Sequence, residues 1–177
     1  MKYVEHLVKS MEFLAEDPRT VFIGQSVAYS GNSIYNTLKT ISNDRKIETP
    51  VFEETQMGLS IGLAMQGFVP VTCYPRFDFL LLAINQLVNH LDKMEEMTLG
   101  AYKPRVIIRT AVGATVPLNG GVQHTQDHTE AFRNLLTNVD VVYLDDKQQI
   151  FPAFKKALER EDSKSTLIVE VGEFYNQ

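Results

Sequence analysis

The chain reads as an α/β protein: a single doubly wound domain spanning residues 1–177, with a mostly parallel sheet of about six strands and helices on both faces. Three observations predict this. Short β-rich runs alternate with helix-length segments along the whole chain. The first of these runs, Thr20-Val21-Phe22-Ile23-Gly24, is short, apolar and ended by glycine, as a buried parallel strand is. Finally, 177 residues with 44% apolar content are enough for one domain with a substantial core, and too few for two of ordinary size.

The elements follow in order. Val4, Leu7, Val8, Met11 and Leu14 recur at helical spacing, and Glu16-Asp17-Pro18-Arg19 stops that helix. Strand 20–24 then delivers a loop, Gln25 to Asn32, and Ser33 to Ile41 is read as a helix. Strand 47–52, helix 55–66, strand 69–74 and helix 79–93 alternate. After them come strand 105–109, a Gly-rich loop 110–127, a short helix near 129–136, strand 139–143, a helix near 147–159 and strand 166–171. In such folds ligands sit at the carboxyl ends of the strands, where Gln25, Glu53, Arg76 and the 110–127 loop all fall. Helix 79–93 opens Phe79-Leu80-Leu81-Leu82-Ala83-Ile84, apolar on every face, which a helix with one side in water would not show. A subunit interface over its outer side is the expectation.

Composition narrows the function. A net charge of −5 with dispersed basic residues gives no clustered positive face for nucleic acid. Neither a long apolar run nor an Arg-rich amphipathic leader is present, so no membrane partner is expected. The single Cys73 lies in the strand pattern Val69-Pro70-Val71-Thr72-Cys73-Tyr74, which excludes an intrachain disulfide and a cysteine-based zinc cage. It is read as a buried core residue in a reducing, cytoplasmic chain.

Few residues offer chemistry. Glu53 opens the Gly-rich helix Met57-Gly58-Leu59-Ser60-Ile61-Gly62-Leu63-Ala64-Met65-Gln66-Gly67; taken alone it is a cap or a dipole partner, and beside apolar walls it is a proton-transfer group. His124 and His128 lie in Gly120-Gly121-Val122-Gln123-His124-Thr125-Gln126-Asp127-His128, whose Gly-rich lead-in argues for a loop and against a helical zinc site. His124 suits a group that holds a substrate carboxylate or donates to a developing alkoxide. His6 and His90 are read as surface or interface residues, and periodicity alone makes Phe79 core.

The stretch from Thr49-Pro50-Val51-Phe52-Glu53 through Cys73-Tyr74-Pro75-Arg76-Phe77-Asp78-Phe79 to Ala83-Ile84-Asn85-Gln86-Leu87-Val88-Asn89, then Val106-Ile107-Ile108-Arg109 and Gln123-His124-Thr125-Gln126, carries a resemblance. It resembles the pyrimidine-binding domain of thiamine-diphosphate enzymes of the transketolase-like superfamily, most closely the β subunit of the decarboxylase component of 2-oxo acid dehydrogenases. The resemblance implies that Glu53 shares a proton with the cofactor's aminopyrimidine, favouring the imino tautomer whose nitrogen removes the thiazolium C2 proton. It implies that Phe79 packs on that ring, that Val51 lines it, that Pro75 stands where the family often has a larger apolar side chain, and that His124 faces the substrate. Glu54 competes with Glu53, but gapless alignment of Gly58, Gly62 and Gly67 with the family's glycines selects Glu53.

Two departures stand out. Gln25-Ser26 replaces a common acidic pair after the first strand's glycine, which puts any relay through those carboxylates in doubt. Arg76 replaces a small or neutral residue beside the pyrimidine; it is either a site for an acidic small-molecule substrate or a surface arginine. The Gly-Asp-Gly that usually announces the magnesium and diphosphate site of these enzymes does not occur in the sequence. The resemblance therefore implies a second subunit that supplies thiamine diphosphate with its Mg2+, in a dimer or heterotetramer. The reaction it implies is decarboxylation and acyl transfer from a 2-oxo acid; the alternatives are a split transketolase-like carbon–carbon lyase and a non-catalytic assembly subunit.

Overall fold

Six strands, all parallel, make one sheet in the order β2-β1-β3-β4-β6-β5. They are β1 (Thr20–Gly24), β2 (Lys46–Glu48), β3 (Val69–Tyr74), β4 (Ile107–Val112), β5 (Val139–Leu144) and β6 (Ser165–Val171). The computed structural model describes residues 1–116 and 118–177. The helices are α1 (Tyr3–Glu16), α2 (Ser33–Thr37), α3 (Glu53–Met65), α4 (Phe77–Leu80), α5 (Met94–Met97), α6 (Thr129–Leu135) and α7 (Lys147–Glu159). Parallel neighbours require crossovers, and the helices that make them cover both faces. One face packs Leu7, Met11 and Leu14 of α1 and Ile150 and Phe154 of α7 against Phe22, Val71, Ile107 and Ile168. The other packs Met57 and Ile61 of α3, Phe77 and Leu80 of α4 and Phe132 of α6 against Tyr74, Ile108, Leu167 and Val169. The predicted fold class is the observed one.

The direction of winding reverses between β1 and β3, because the chain leaves β1 for β2 on one side and returns for β3 on the other. That reversal opens a crevice at the carboxyl ends of the two strands, the usual ligand position in open α/β sheets.

Two expected elements differ. The second strand ends at Glu48 rather than at residue 52, after Thr49 N–H makes a last bond to the Gly24 carbonyl (3.0 Å). Pro50 has no N–H to continue the ladder. The segment expected as helix 79–93 begins two residues earlier and is not one regular helix: α4 tightens into a 3-10 turn at Leu81–Ala83 and then widens at Gln86–Leu91, where Asp92 N–H reaches back five residues to Leu87 (2.9 Å). Smaller shifts bring β4 to 107–112, so the following loop starts at Gly113, and shorten α2 to end at Thr37.

Asp92 explains how the widened segment is held. Fully buried, its carboxylate accepts the backbone N–H groups of Thr137 (3.0 Å), Asn138 (2.7 Å) and Val139 (3.0 Å), with the Lys93 ammonium at 2.9 Å. Burial by itself would raise the carboxyl's pKa, but Lys93 and the Asn138 and Thr137 donors outweigh it and hold the group below its ordinary value. Asp92→Ala strands three amide donors at the start of β5 and is expected to cost about 3 kcal/mol in urea unfolding at pH 7. A folded-state pKa below the unfolded value of about 3.9 means that this stability is fully present above that pH and is lost as pH falls through the folded value. The gap between the variant and the wild type therefore narrows in acid.

Beneath the sheet's carboxyl end, Arg109 and Glu170 are both fully buried and form a two-pronged ion pair. Thr37 Oγ1 accepts from Arg109 (2.7 Å), and the Tyr175 hydroxyl donates to Glu170. The pair satisfies its own charges at a depth where either one alone would be strongly destabilising. Cys73 is fully buried in β3, and burial pushes its thiol up to about 12, so it stays protonated and inert.

Candidate active site

Glu53 is placed by the side chain one turn after it. Gln56, buried in α3, donates to the Thr72 hydroxyl (2.9 Å) and the Cys73 carbonyl (3.1 Å), and its amide oxygen meets Thr49 Oγ1 at 3.4 Å. These bonds tie the start of α3 to the end of β3 across the crevice. Gly24, which ends β1, lies so close to Cys73 that a Cβ there would be 2.5 Å from the Cys73 carbonyl oxygen. Glu53 is 8% exposed, its backbone carbonyl accepts from Tyr74 Oη (3.3 Å), and its carboxylate accepts no hydrogen bond from the described residues. Glu54 is exposed and accepts from Asn85 Nδ2 at 3.3 Å.

The residues after β3 meet the loop after β4. Phe79 stands edge-on to the His124 imidazole, with ring centres 5.5 Å apart at 83°. His124 is half-buried, and its Nδ1 is shut off from solvent without a partner. Gly113 makes the approach possible: a Cβ on it would run into the His124 carbonyl oxygen and the Arg76 side chain. Arg76 is half-buried under this loop, and its hydrogen bond is to the Pro75 carbonyl (2.9 Å). Pro75 is buried, whereas Val51 is 63% exposed on the loop that enters α3.

The structure therefore brings Phe79, His124 and Arg76 together, while Glu53 meets the end of β3 through its backbone carbonyl at the Tyr74 hydroxyl. No contact among the described residues joins Glu53 to His124. Concavities of about 460 Å³ beside Arg160 and about 300 Å³ beside Tyr3 lie away from these residues.

Sequence reasoning missed Glu48. Its carboxylate accepts the backbone N–H groups of Ser26 (2.5 Å), Val27 (2.9 Å) and Ala28 (2.8 Å), and so shapes the loop after β1. A carboxylate thus does stand at that loop although Gln25-Ser26 replaces the acidic pair; it arrives from β2. Its position at the end of a strand, just ahead of Thr-Pro, was the available signal.

An all-parallel open sheet, with a nearly buried carboxyl group at the start of α3 and a loop imidazole after β4, is an α/β domain of the doubly wound class. The comparisons name its family. The family model described as transketolase, pyrimidine binding domain, matches residues 8–175, and the chain belongs to that family. Among curated relatives, it is 33% identical over 125 residues to the 3-methyl-2-oxobutanoate dehydrogenase subunit beta of Mycobacterium tuberculosis (strain ATCC 25618 / H37Rv), covering 67% of this chain and 34% of that one. It is 30% identical over 129 residues to the chloroplastic pyruvate dehydrogenase E1 component subunit beta-4 of Oryza sativa subsp. japonica, covering 71% and 32%. The chain spans about a third of the length of these relatives. A solved structure titled split gene transketolase, inactive beta4 tetramer, superposes with a TM-score of 0.69 at 21% identity over 96% of this chain and 49% of that one, which establishes the shared fold.

Proposed function

We propose that the whole chain is one pyrimidine-binding domain that acts as a subunit of a split thiamine-diphosphate enzyme, decarboxylating a 2-oxo acid. The observation that carries the reading is the His124 imidazole held edge-on to Phe79 just after β3, with the Glu53 carboxyl nearly buried at the start of α3. The residues fit the pyrimidine end of that cofactor. Glu53 offers a nearly buried acceptor with no hydrogen bond from the described residues, and His124 Nδ1 is buried without a partner. When bound, the cofactor supplies a nucleophilic carbon and an electron sink for the departing carboxylate's electrons.

This chain's own residues do the rest. Glu53 holds a proton at its carboxyl for the ring nitrogen, Phe79, Pro75 and Val51 offer apolar surface to the pyrimidine, and His124 holds a substrate carboxylate or donates to a developing alkoxide. Arg76 adds a guanidinium that no carboxylate of the described residues pairs with, suited to an acidic donor. Mg2+ and the diphosphate are bound through a partner subunit, in a dimer or heterotetramer, and the exposed Leu81, Leu82 and Ile84 belong to the contact. No helix among the described residues is long and apolar enough to cross a membrane, and a single cysteine kept as a free thiol supports the proposed cytoplasmic setting.

The test is reconstitution with a chain carrying the diphosphate-binding domain, thiamine diphosphate and Mg2+. Carbon dioxide release from 2-oxo acids is expected from the mixture and not from either chain alone. Cleavage of ketose phosphates without any decarboxylation would move the assignment to ketol transfer.

A further inference from the structure

We propose that Asp78 is a positioning residue that holds the His124 loop in its working place, an inference that rests on the reading of His124 as the substrate-facing group. Three successive residues after β3 engage three alternate residues of the loop, running in opposite directions. Phe79 meets the His124 ring (5.5 Å, 83°), and Phe77 meets the His128 ring (5.4 Å, 83°). Between them the Asp78 carboxylate accepts from Gln126 Nε2 at 2.7 Å and stands 3.7 Å from His128 Nε2. Its side chain is 7% exposed, and its second oxygen is buried without a partner.

Thr115 ties the start of the loop to Glu173, but nearer His124 the loop has little other hydrogen-bonded support. The remaining hydrogen bonds of residues 118–127 stay local: His124 N–H to the Gly121 carbonyl, Gly121 N–H to Asn119, the Thr125 hydroxyl to the Gly121 carbonyl, and the Thr129 N–H and hydroxyl, at the start of α6, to the Asp127 carboxylate. Among the described residues, Gln126 to Asp78 is the one hydrogen bond that ties this segment to a distant element. Ring contacts alone are weakly directional, whereas one carboxylate gripping the residue two past His124 fixes both register and height over Phe79. An imidazole that must meet a reacting group within tenths of an ångström needs that restraint, because small misplacements cost large factors in rate. The clamp was invisible in sequence, since Asp78 and Gln126 lie far apart in the chain and an acidic residue in the first turn of a helix or a glutamine in a loop is ordinary.

Two readouts test it. In the 177-residue chain, the His124 ring resonance, assigned with His124→Gln, is expected at a position displaced by the Phe79 ring. In Asp78→Ala it moves toward the position of a solvated histidine. Asp78→Asn, whose amide oxygen still accepts from Gln126, restores it, and Gln126→Ala on the exposed side of the loop reproduces the loss should Asp78→Ala fold poorly. In the reconstituted enzyme, Asp78→Ala lowers kcat on the 2-oxo acid about tenfold or more while exchange of the cofactor's C2 proton stays at the wild-type rate. A His124 signal unmoved by both Asp78→Ala and Gln126→Ala would overturn the proposal, as would Asp78→Asn proving as impaired as Asp78→Ala. A wild-type assembly inert with every donor would instead refute the catalytic reading of His124, and the ring signal in the isolated chain would still decide the clamp.

Discussion

Glu53→Gln is expected to slow deuterium exchange at the cofactor's C2 about a hundred- to ten-thousandfold in the assembled enzyme while leaving the fold and the assembly intact. An amide of the same shape cannot share the ring-nitrogen proton. The fold has little to lose, because the Glu53 carboxylate accepts no hydrogen bond from the described residues and Gln56, not Glu53, fastens α3 to β3. Unchanged melting with a collapsed exchange rate is the expected pair of results. Exchange at the wild-type rate would remove Glu53 from the mechanism and direct attention to Glu54, which stands exposed beside Asn85.

The second large effect is expected at the segment that follows α4. Leu82 is 63% exposed and Leu81 and Ile84 37% each, forming an apolar surface that continues outward from buried Leu80 and Ala83. Covering two such leucines against a partner contributes on the order of 3–6 kcal/mol before the costs of association. A charge there is solvated in the single chain and buried in an assembly, so Leu82→Glu and Leu81→Glu, made separately, test the surface without confounding it with the core. At least one is expected to lower the mass in solution, alone or with the partner, at an unchanged melting temperature. Two variants that both keep the wild-type mass would place the interface elsewhere.

The alternation that foretold the sheet survived in the structure because buried parallel strands and their crossover helices leave long, simple patterns, as in Thr20–Gly24 and Val69–Tyr74. Where it failed, a single residue or a local winding decided. Pro50 cut β2 short, and the unbroken apolar run from Phe79 to Ile84 concealed a chain that tightens and then widens around the buried Asp92. The site was legible only unevenly. Glu53 and His124 stood out through a resemblance, since a glutamate opening a helix and a loop histidine have ordinary structural explanations taken singly. Asp78, Gln126 and the Arg109–Glu170 pair escaped because each works through a partner distant in sequence, which no local pattern reports; Glu48 carried only the weak signal of a strand end ahead of Thr-Pro.

The central claim, that this chain holds only the pyrimidine half of a cofactor site, is tested most directly by calorimetric titration of thiamine diphosphate with Mg2+ into the chain alone and into its mixture with a diphosphate-binding chain. Weak or no heat from the chain alone and saturable binding by the mixture are predicted, with the mixture's affinity reduced by Glu53→Gln. Tight, magnesium-dependent binding by the single chain would contradict the account.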